Sequence, residues 1–128
     1  MIRKNQRKFD ICNNQDDIGV DLNRNYGYKW GYNNEGSSDY LCDESYRGSA
    51  PFSEPETAAI RDFVESMPLL RIALNFHAWG NLFVTPFNYS DDVNATELNR
   101  KYPGAAAFYD DVWLNAGMPN NNVKGSGI

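Results

Sequence analysis

The sequence is poor in the residues that most often build metal and nucleophilic sites. Among its 128 residues there is one histidine, His77, and there are two cysteines, Cys12 and Cys42. Neither cysteine has a local base partner, no Ser-His-Asp triad can be argued from the order of residues, and Gly31 and Gly36 belong to no phosphate-binding motif. The residues therefore give no support for a nucleophilic triad, a Cys-His pair or a phosphate loop.

Long apolar stretches and clustered positive charge are also missing. No run approaches the roughly 18 consecutive apolar residues of a transmembrane helix. The formal net charge is −5, and Lys and Arg cluster only near the N-terminus, which argues against a nucleic-acid-binding surface. The opening MIRKNQRKF is not followed by the apolar core of a signal peptide. We expect neither a nucleic-acid partner nor a membrane partner.

The clearest pattern is an apolar alternation that ends at the single histidine. Apolar residues alternate along 69–76, and Ala73 between them is also apolar, which predicts a strand buried on both faces or nearly so. His77 follows at once, and ligands of open α/β sheets bind beyond the carboxyl ends of strands. Two interpretations stay open, a metal ligand and a hydrogen-bonded structural histidine, because zinc needs three or four converging donors.

A predicted helix leads into this strand. Ser53 as N-cap and Glu56 three residues later form a capping box, Pro55 suits the first turn, and Pro68 stops the helix. A helix that delivers the chain into a strand is half of a parallel α/β unit. The fold class predicted is therefore α/β. A shorter alternation over 18–22 predicts another strand, and a further helix is predicted from Ala95 towards Leu114, interrupted near Pro103–Gly104.

A polar pair follows the strand predicted over 18–22. Asn23 and Arg24 together offer an amide and a guanidinium, whose two parallel N–H donors match the two oxygens of a carboxylate. This pattern favours a carboxylate-binding site. The other interpretation is that Arg24 is a solvated surface charge in a loop.

The cysteines and two sequons bear on the compartment. A Cys12–Cys42 disulfide would close a loop of about 30 residues and stabilise it by roughly 3–4 kcal/mol; two free thiols are the alternative. The sequons begin at Asn88 and Asn94 in a polar segment. Together they favour a secreted, extracellular glycoprotein.

Three motifs, taken in their order along the chain, resemble those of a known enzyme family. The runs GVDLNRNYGYKWG (19–31), ESYRGSAPFSEPET (44–57) and NFHAWG (75–80) with VTPF (84–87) resemble the zinc metallocarboxypeptidases of the M14 family, nearest to the carboxypeptidase T and A/B branch. The resemblance covers residues 1–90 well and the rest loosely. It implies a mixed, mostly parallel sheet sandwiched between helices.

The resemblance also implies site residues. His77 matches the third ligand of the family's single zinc ion. Asn23 and Arg24 match the pair that holds the free C-terminal carboxylate of a peptide or protein substrate, and Arg3 matches the arginine that stabilises the oxyanion, with Arg7 as the weaker candidate. Cys12 and Cys42 fall near a disulfide known in part of the family. The implied activity is zinc-dependent hydrolysis that releases C-terminal amino acids.

The sequence departs from the family in its catalytic set. The family's first two zinc ligands lie in an upstream His-x-x-Glu motif, and its catalytic glutamate lies downstream; neither is found in residues 1–128. We therefore expect residues 1–128 to be the central part of one catalytic domain, truncated at both ends and inactive by itself. The alternatives are a non-catalytic domain that binds peptide C-termini, and a sugar-binding module built on the Tyr- and Trp-rich loop at 26–46.

Overall fold

Helices are the main regular elements in the described part of the chain. The computed structural model describes residues 3–9, 11–12, 18–78, 84, 89, 95–105, 107–108 and 111. The chain divides into two units, residues 1–75 and 76–128. The first contains the helix α1 (Pro55–Glu65) and two short 3-10 segments (Leu22–Arg24 and Tyr32–Asn34), and the second contains the helix α2 (Ala95–Lys101).

The helix α1 is confirmed, but its start differs from the predicted capping box. The helix begins at Pro55 with Glu54 as N-cap, and no side chain caps it. The Ser53 hydroxyl donates to Glu54 Oε1 at 2.8 Å instead of capping the helix. The first turn is held from elsewhere, because Asn25 Oδ1 accepts from the Glu54 N–H at 3.2 Å and from the Thr57 hydroxyl at 2.6 Å.

The buried strand predicted over 69–76 is not formed in this structure. These residues have no regular secondary structure and all are exposed, with Phe76 at 87%. Strand pairing among the described residues is limited to one isolated bridge between Ser38 and Tyr46. An alternating apolar segment forms a strand only where neighbours complete its ladder and cover its faces. The predicted mixed sheet is therefore not formed in the described part of the chain.

The segment predicted as a strand over 18–22 takes a different form. Val20 is fully buried, but Leu22 already begins the first 3-10 segment. The Val20 carbonyl accepts from the Asn5 N–H at 2.9 Å, and the Asp21 N–H donates to the Tyr46 carbonyl at 2.8 Å. Residues from three parts of the sequence are thereby joined at Val20–Asp21, which positions the site described below.

The disulfide between Cys12 and Cys42 is present. It joins residues 30 apart in sequence, with a Cα–Cα distance of 5.4 Å. The buried Lys4 ammonium supports the same loop, because it donates to the carbonyls of Leu41 at 3.3 Å and Asp43 at 2.7 Å. The sequence left free thiols open as an alternative, and the structure selects the bridge.

In the second unit, the predicted helix is interrupted where expected. The helix α2 ends at Lys101, Gly104 has a φ of +83°, and a helical hydrogen bond resumes where the Phe108 N–H donates to the Gly104 carbonyl at 3.0 Å. The sequons at Asn88 and Asn94 lie outside the described residues. Among the helices that are described, none has the length and apolar character needed to cross a membrane.

Candidate functional site

Two arginines selected from the sequence lie at one buried aspartate. Arg3 Nε donates to Asp21 Oδ2 at 2.7 Å, and Arg24 Nε lies 3.8 Å from the same oxygen. The Asp21 side chain is only 2% exposed. Arg3 and Arg24 are 21 positions apart in the printed sequence, so this carboxylate is what places their guanidinium groups side by side.

Asp21 also fixes the backbone that carries the polar pair. Its Oδ1 accepts from the Asn23 N–H at 3.0 Å, and its carbonyl accepts from the Arg24 N–H at 2.9 Å. Asp21 is thus the N-cap of the 3-10 segment Leu22–Arg24. Three of the residues selected from the sequence, Arg3, Asn23 and Arg24, are held by one side chain and its main chain.

The polar groups of this cluster reach solvent to different degrees. The Arg3 side chain is 42% exposed and that of Arg24 is 18% exposed, and Asn23 is exposed. Glu44, which is 78% exposed, places Oε1 3.7 Å from Nη1 of Arg3. An incoming anion would therefore meet accessible donors and would compete with an exposed, weakly held carboxylate at Arg3.

The electrostatics of the cluster favour an anion. Burial lowers the pKa of Arg24, Asp21 opposes that change, and the charge of Arg3 adds to it. The pKa of Arg3 is raised, chiefly by its hydrogen bond to Asp21. Guanidinium groups stay protonated at neutral pH, so two positive charges lie beside the buried carboxylate of Asp21, and the exposed carboxylate of Glu44 lies at Arg3. Such a cluster suits a carboxylate, which accepts parallel N–H donors.

Asn25 holds the site against the helix α1, and the sequence reasoning missed it. This side chain is fully buried. Its Nδ2 lies 2.8 Å from the Arg47 carbonyl, 3.1 Å from the Ala50 carbonyl and 2.9 Å from the Ser53 hydroxyl. The only feature of the sequence that could have indicated this role is the position of Asn25 directly after Asn23-Arg24. Asparagine is common in turns for purely local reasons, so that position did not distinguish it. Asp21 was missed similarly, as one polar position inside an apolar alternation.

Arg7, the weaker candidate for the oxyanion role, has a different partner. Its Nη1 donates to Glu54 Oε1 at 2.8 Å, and Asn5 Nδ2 donates to Glu54 Oε2 at 2.8 Å. The Glu54 side chain is 1% exposed. Arg7 and Asn5 therefore tie the N-terminal segment to the start of α1, and Arg3 is the arginine bonded to Asp21.

His77 lies in the second unit and is exposed. It carries no regular secondary structure, so the predicted position at the end of a buried strand is wrong for this structure. Within the described residues, no group of three or more His, Cys, Asp or Glu side chains is arranged to hold a metal ion. Both cysteines are in the disulfide. The described donor set therefore does not form a zinc site by itself, since zinc takes three or four protein ligands.

Comparisons with known proteins agree with the motifs. The family model "Zinc carboxypeptidase" matches residues 1–122, so the chain belongs to the zinc carboxypeptidase family. It is 35% identical over 97 residues to a metallocarboxypeptidase A-like protein of Trichophyton verrucosum, which covers 73% of this chain. It is 36% identical over 94 residues to mast cell carboxypeptidase A of Homo sapiens, again covering 73% of this chain.

A solved structure supports the same fold family. The carboxypeptidase A of Helicoverpa armigera matches with a TM-score of 0.57 and 31% sequence identity over 75% of this chain. The match covers 22% of that protein, and the chain spans 22% and 21% of the fungal and human relatives. The chain therefore corresponds to about a fifth of a carboxypeptidase of this family.

Proposed function

We propose that this chain supplies the substrate-carboxylate and oxyanion groups of a zinc metallocarboxypeptidase that releases C-terminal amino acids from peptides and proteins. One observation carries the proposal. In a member of the zinc carboxypeptidase family, Arg3 and Arg24 lie at the same buried carboxylate that fixes the backbone of Asn23. Donors arranged in this way match a free C-terminal carboxylate and a nearby developing negative charge.

Each residue has a distinct part in this function. Arg24 and Asn23 bind the terminal carboxylate, so an amidated or internal peptide bond lacks the group that they recognise. Arg3, which is more exposed than Arg24, contacts the carbonyl oxygen as it gains negative charge. A donor that is already in place for that charge lowers the barrier without reorganising at the moment of reaction.

The zinc ion needs residues beyond those described here. In the intact protein one ion binds to His77, and its remaining ligands come from outside residues 1–128, because His77 is the only histidine of the chain and no His-x-x-Glu motif occurs in it. The catalytic glutamate also comes from outside these residues, as the family resemblance implies. Zinc in such enzymes activates water and polarises a carbonyl. Residues 1–128 alone are therefore inactive as a peptidase.

The exposed apolar surface of the first unit fits the same proposal. Ile60, Phe63 and Val64 of α1 are 49%, 64% and 39% exposed, and Leu74 of the segment 69–76 is 67% exposed. In the complete domain this segment is a strand of a mixed, mostly parallel sheet, covered by α1 on one face. Secretion is supported by the Cys12–Cys42 disulfide, which persists in oxidising compartments.

Carboxylate recognition can be tested on the chain itself. We expect N-acetyl-phenylalanine or N-acetyl-lysine to bind more tightly than the matching amide in an NMR titration, because only the acid accepts two guanidinium donors. Arg24→Ala should abolish this preference, whereas Arg61→Ala, which removes an exposed ion pair of α1, should keep it. Equal affinity of acid and amide for the unmodified chain would overturn the proposal.

Hydrolysis requires the complete domain. We expect a zinc-loaded protein that contains residues 1–128 together with the missing ligands to release the C-terminal residue of a peptide. Carboxylate binding without hydrolysis in that protein would instead support a non-catalytic domain that binds peptide C-termini.

A further inference from the structure

We infer that Glu44 determines which charge is accepted at the penultimate residue of the substrate, favouring a basic side chain there and disfavouring an acidic one. The inference rests on the proposed function, in which Arg3 contacts the carbonyl oxygen at the bond to be cleaved. That oxygen belongs to the penultimate residue, so the side chain of this residue meets the groups on the solvent side of Arg3. Glu44 is the exposed carboxylate on that side.

The guanidinium of Arg3 lies between a buried and an exposed carboxylate. Its Nε donates to the buried Asp21 at 2.7 Å, whereas its Nη1 lies 3.7 Å from Glu44 Oε1. A separation of 3.7 Å is too long for a hydrogen bond. Glu44 therefore leaves room at Nη1 for a substrate oxygen, and its side chain, which is 78% exposed, presents its negative charge to whatever binds there.

The backbone of Glu44 is fixed although its side chain is exposed. Glu44 lies in a turn that closes where the Tyr46 N–H donates to the Asp43 carbonyl at 3.1 Å. The buried ammonium of Lys4, the residue after Arg3, donates to the same carbonyl at 2.7 Å. The turn that carries Glu44 is thus bonded to the segment that carries Arg3, which keeps the two side chains close together.

Asp43 is a second carboxylate near Arg3, but it is engaged in its own turn. Its Oδ1 accepts from the N–H and from the hydroxyl of Ser45, each at 2.7 Å. The pKa of Arg3 is raised chiefly by the hydrogen bond to Asp21, and the charge of Glu44 adds more to this change than that of Asp43. Glu44 is therefore the carboxylate whose charge is better placed to act on a bound side chain.

The charge of Glu44 acts at Arg3 rather than at the pair that binds the C-terminal carboxylate. The pKa of Arg24 is lowered by burial and changed further by the charges of Asp21 and Arg3, and Glu44 is not among the charges that shift it. Removing Glu44 should therefore alter the preference at the penultimate residue and leave the preference for a free C-terminal carboxylate in place.

The experiment is an NMR titration of the chain with N-acetylated lysyl-phenylalanine, glutaminyl-phenylalanine and glutamyl-phenylalanine. We expect the lysyl peptide to bind most tightly and the glutamyl peptide least tightly. Glu44→Gln should reduce the ratio of the lysyl to the glutamyl affinity by about threefold, as is typical of an exposed ion pair. Tighter binding of the glutamyl peptide by the unmodified chain, or an unchanged ratio in Glu44→Gln, overturns the inference.

Two matched variants separate a local effect from a general one, which is needed because the chain has a net charge of −5. Glu56→Gln removes the same charge at an exposed position of α1 and should keep the ratio. Asp43→Asn keeps an oxygen for Ser45 and should change the ratio less than Glu44→Gln does. An equal loss in Glu56→Gln, or a larger one in Asp43→Asn, takes the preference away from Glu44.

Two further measurements need no substitution. The ratio should approach one at about 1 M salt, where the screening length is about 3 Å, and a ratio that ignores salt contradicts an electrostatic origin. The lysyl peptide is also compared with its C-terminal amide. If the acid binds more tightly than the amide but the three peptides bind equally, only the role of Glu44 is overturned. Equal binding of acid and amide overturns the proposed function as well.

Discussion

The hydroxyl of Thr57 donates to Oδ1 of Asn25 at 2.6 Å. This bond joins the first turn of α1 to the residue that follows Asn23 and Arg24, the proposed carboxylate clamp, and both side chains are at most 1% exposed. The stability of the clamp is therefore linked to a helix that contributes no predicted site residue.

Removing this bond should be costly. Thr57→Val keeps the shape of the side chain but leaves Asn25 Oδ1 with one donor fewer in a buried place, and we expect unfolding free energy to fall by about 1–3 kcal/mol. Thr96→Val is a suitable control, because Thr96 is exposed on α2. Urea denaturation followed by fluorescence would measure both. Equal stability of the two variants would mean that the Asn25 contact is not important.

Glu54 should make stability depend on acid pH. Burial alone would raise its pKa, but hydrogen bonds from Asn5, Ser53 and Arg7 outweigh burial and lower it. A carboxyl whose pKa is lower in the folded state stabilises the fold above its unfolded pKa of about 4.3. That stability is lost as the pH falls through the lower, folded pKa.

The pH dependence can be assigned by substitution. Glu54→Gln should flatten the fall in unfolding free energy below about pH 4.3, whereas Glu56→Gln, at an exposed position of α1, should not. The free energy of unfolding of Glu54→Gln should still fall somewhat with decreasing pH, because hydrogen bonds from Ser45 lower the pKa of Asp43 as well. Equal slopes in the two variants would remove Glu54 as the cause.

Gly48 should tolerate no side chain. Its φ is +88°, and a Cβ atom there would collide with Ser53 Oγ and Asn25 Nδ2. Gly104 has a similar φ of +83° but no atom within 4 Å of the added Cβ. Gly104→Ala should therefore lower the free energy of unfolding only through the strain of the left-handed conformation, by about 1–2 kcal/mol. Gly48→Ala should lower it by more, as measured by thermal or urea unfolding. A smaller loss for Gly48→Ala would contradict the close packing around Asn25.

In an active carboxypeptidase that contains this chain, Arg3→Ala should act mainly on kcat. If Arg3 meets charge that appears only in the transition state, the variant should lose about 3–4 kcal/mol of transition-state stabilisation. This corresponds to roughly a 10²–10³-fold fall in kcat, with a much smaller change in KM. Steady-state kinetics with a blocked dipeptide would test this. A change confined to KM would assign Arg3 to ground-state binding instead.

The order of residues along the chain was enough to predict several features. The family followed from the residue types, order and spacing of three motifs. The helix α1, with Pro55 in its first turn, also followed, because helix periodicity and the fit of proline to a first turn are local properties. The likeness of Asn23-Arg24 to a carboxylate clamp belongs to the same group, as guanidinium chemistry does not depend on the fold.

Contacts between distant parts of the chain decided the rest. The capping box at Ser53 is not formed, because the helix starts one residue later, with Glu54 as N-cap, and the Ser53 oxygen accepts from Asn25 Nδ2. The strand over 69–76 is not formed, because a strand depends on neighbours that its own sequence cannot specify. Asp21 and Asn25 look like ordinary turn residues until Arg3 and Thr57 are brought against them. Residue types and their spacing therefore predicted which groups bind a carboxylate. Only the tertiary structure placed the buried carboxylate of Asp21 and the buried amide of Asn25 beside those groups, because burial and pairing arise between segments far apart in sequence.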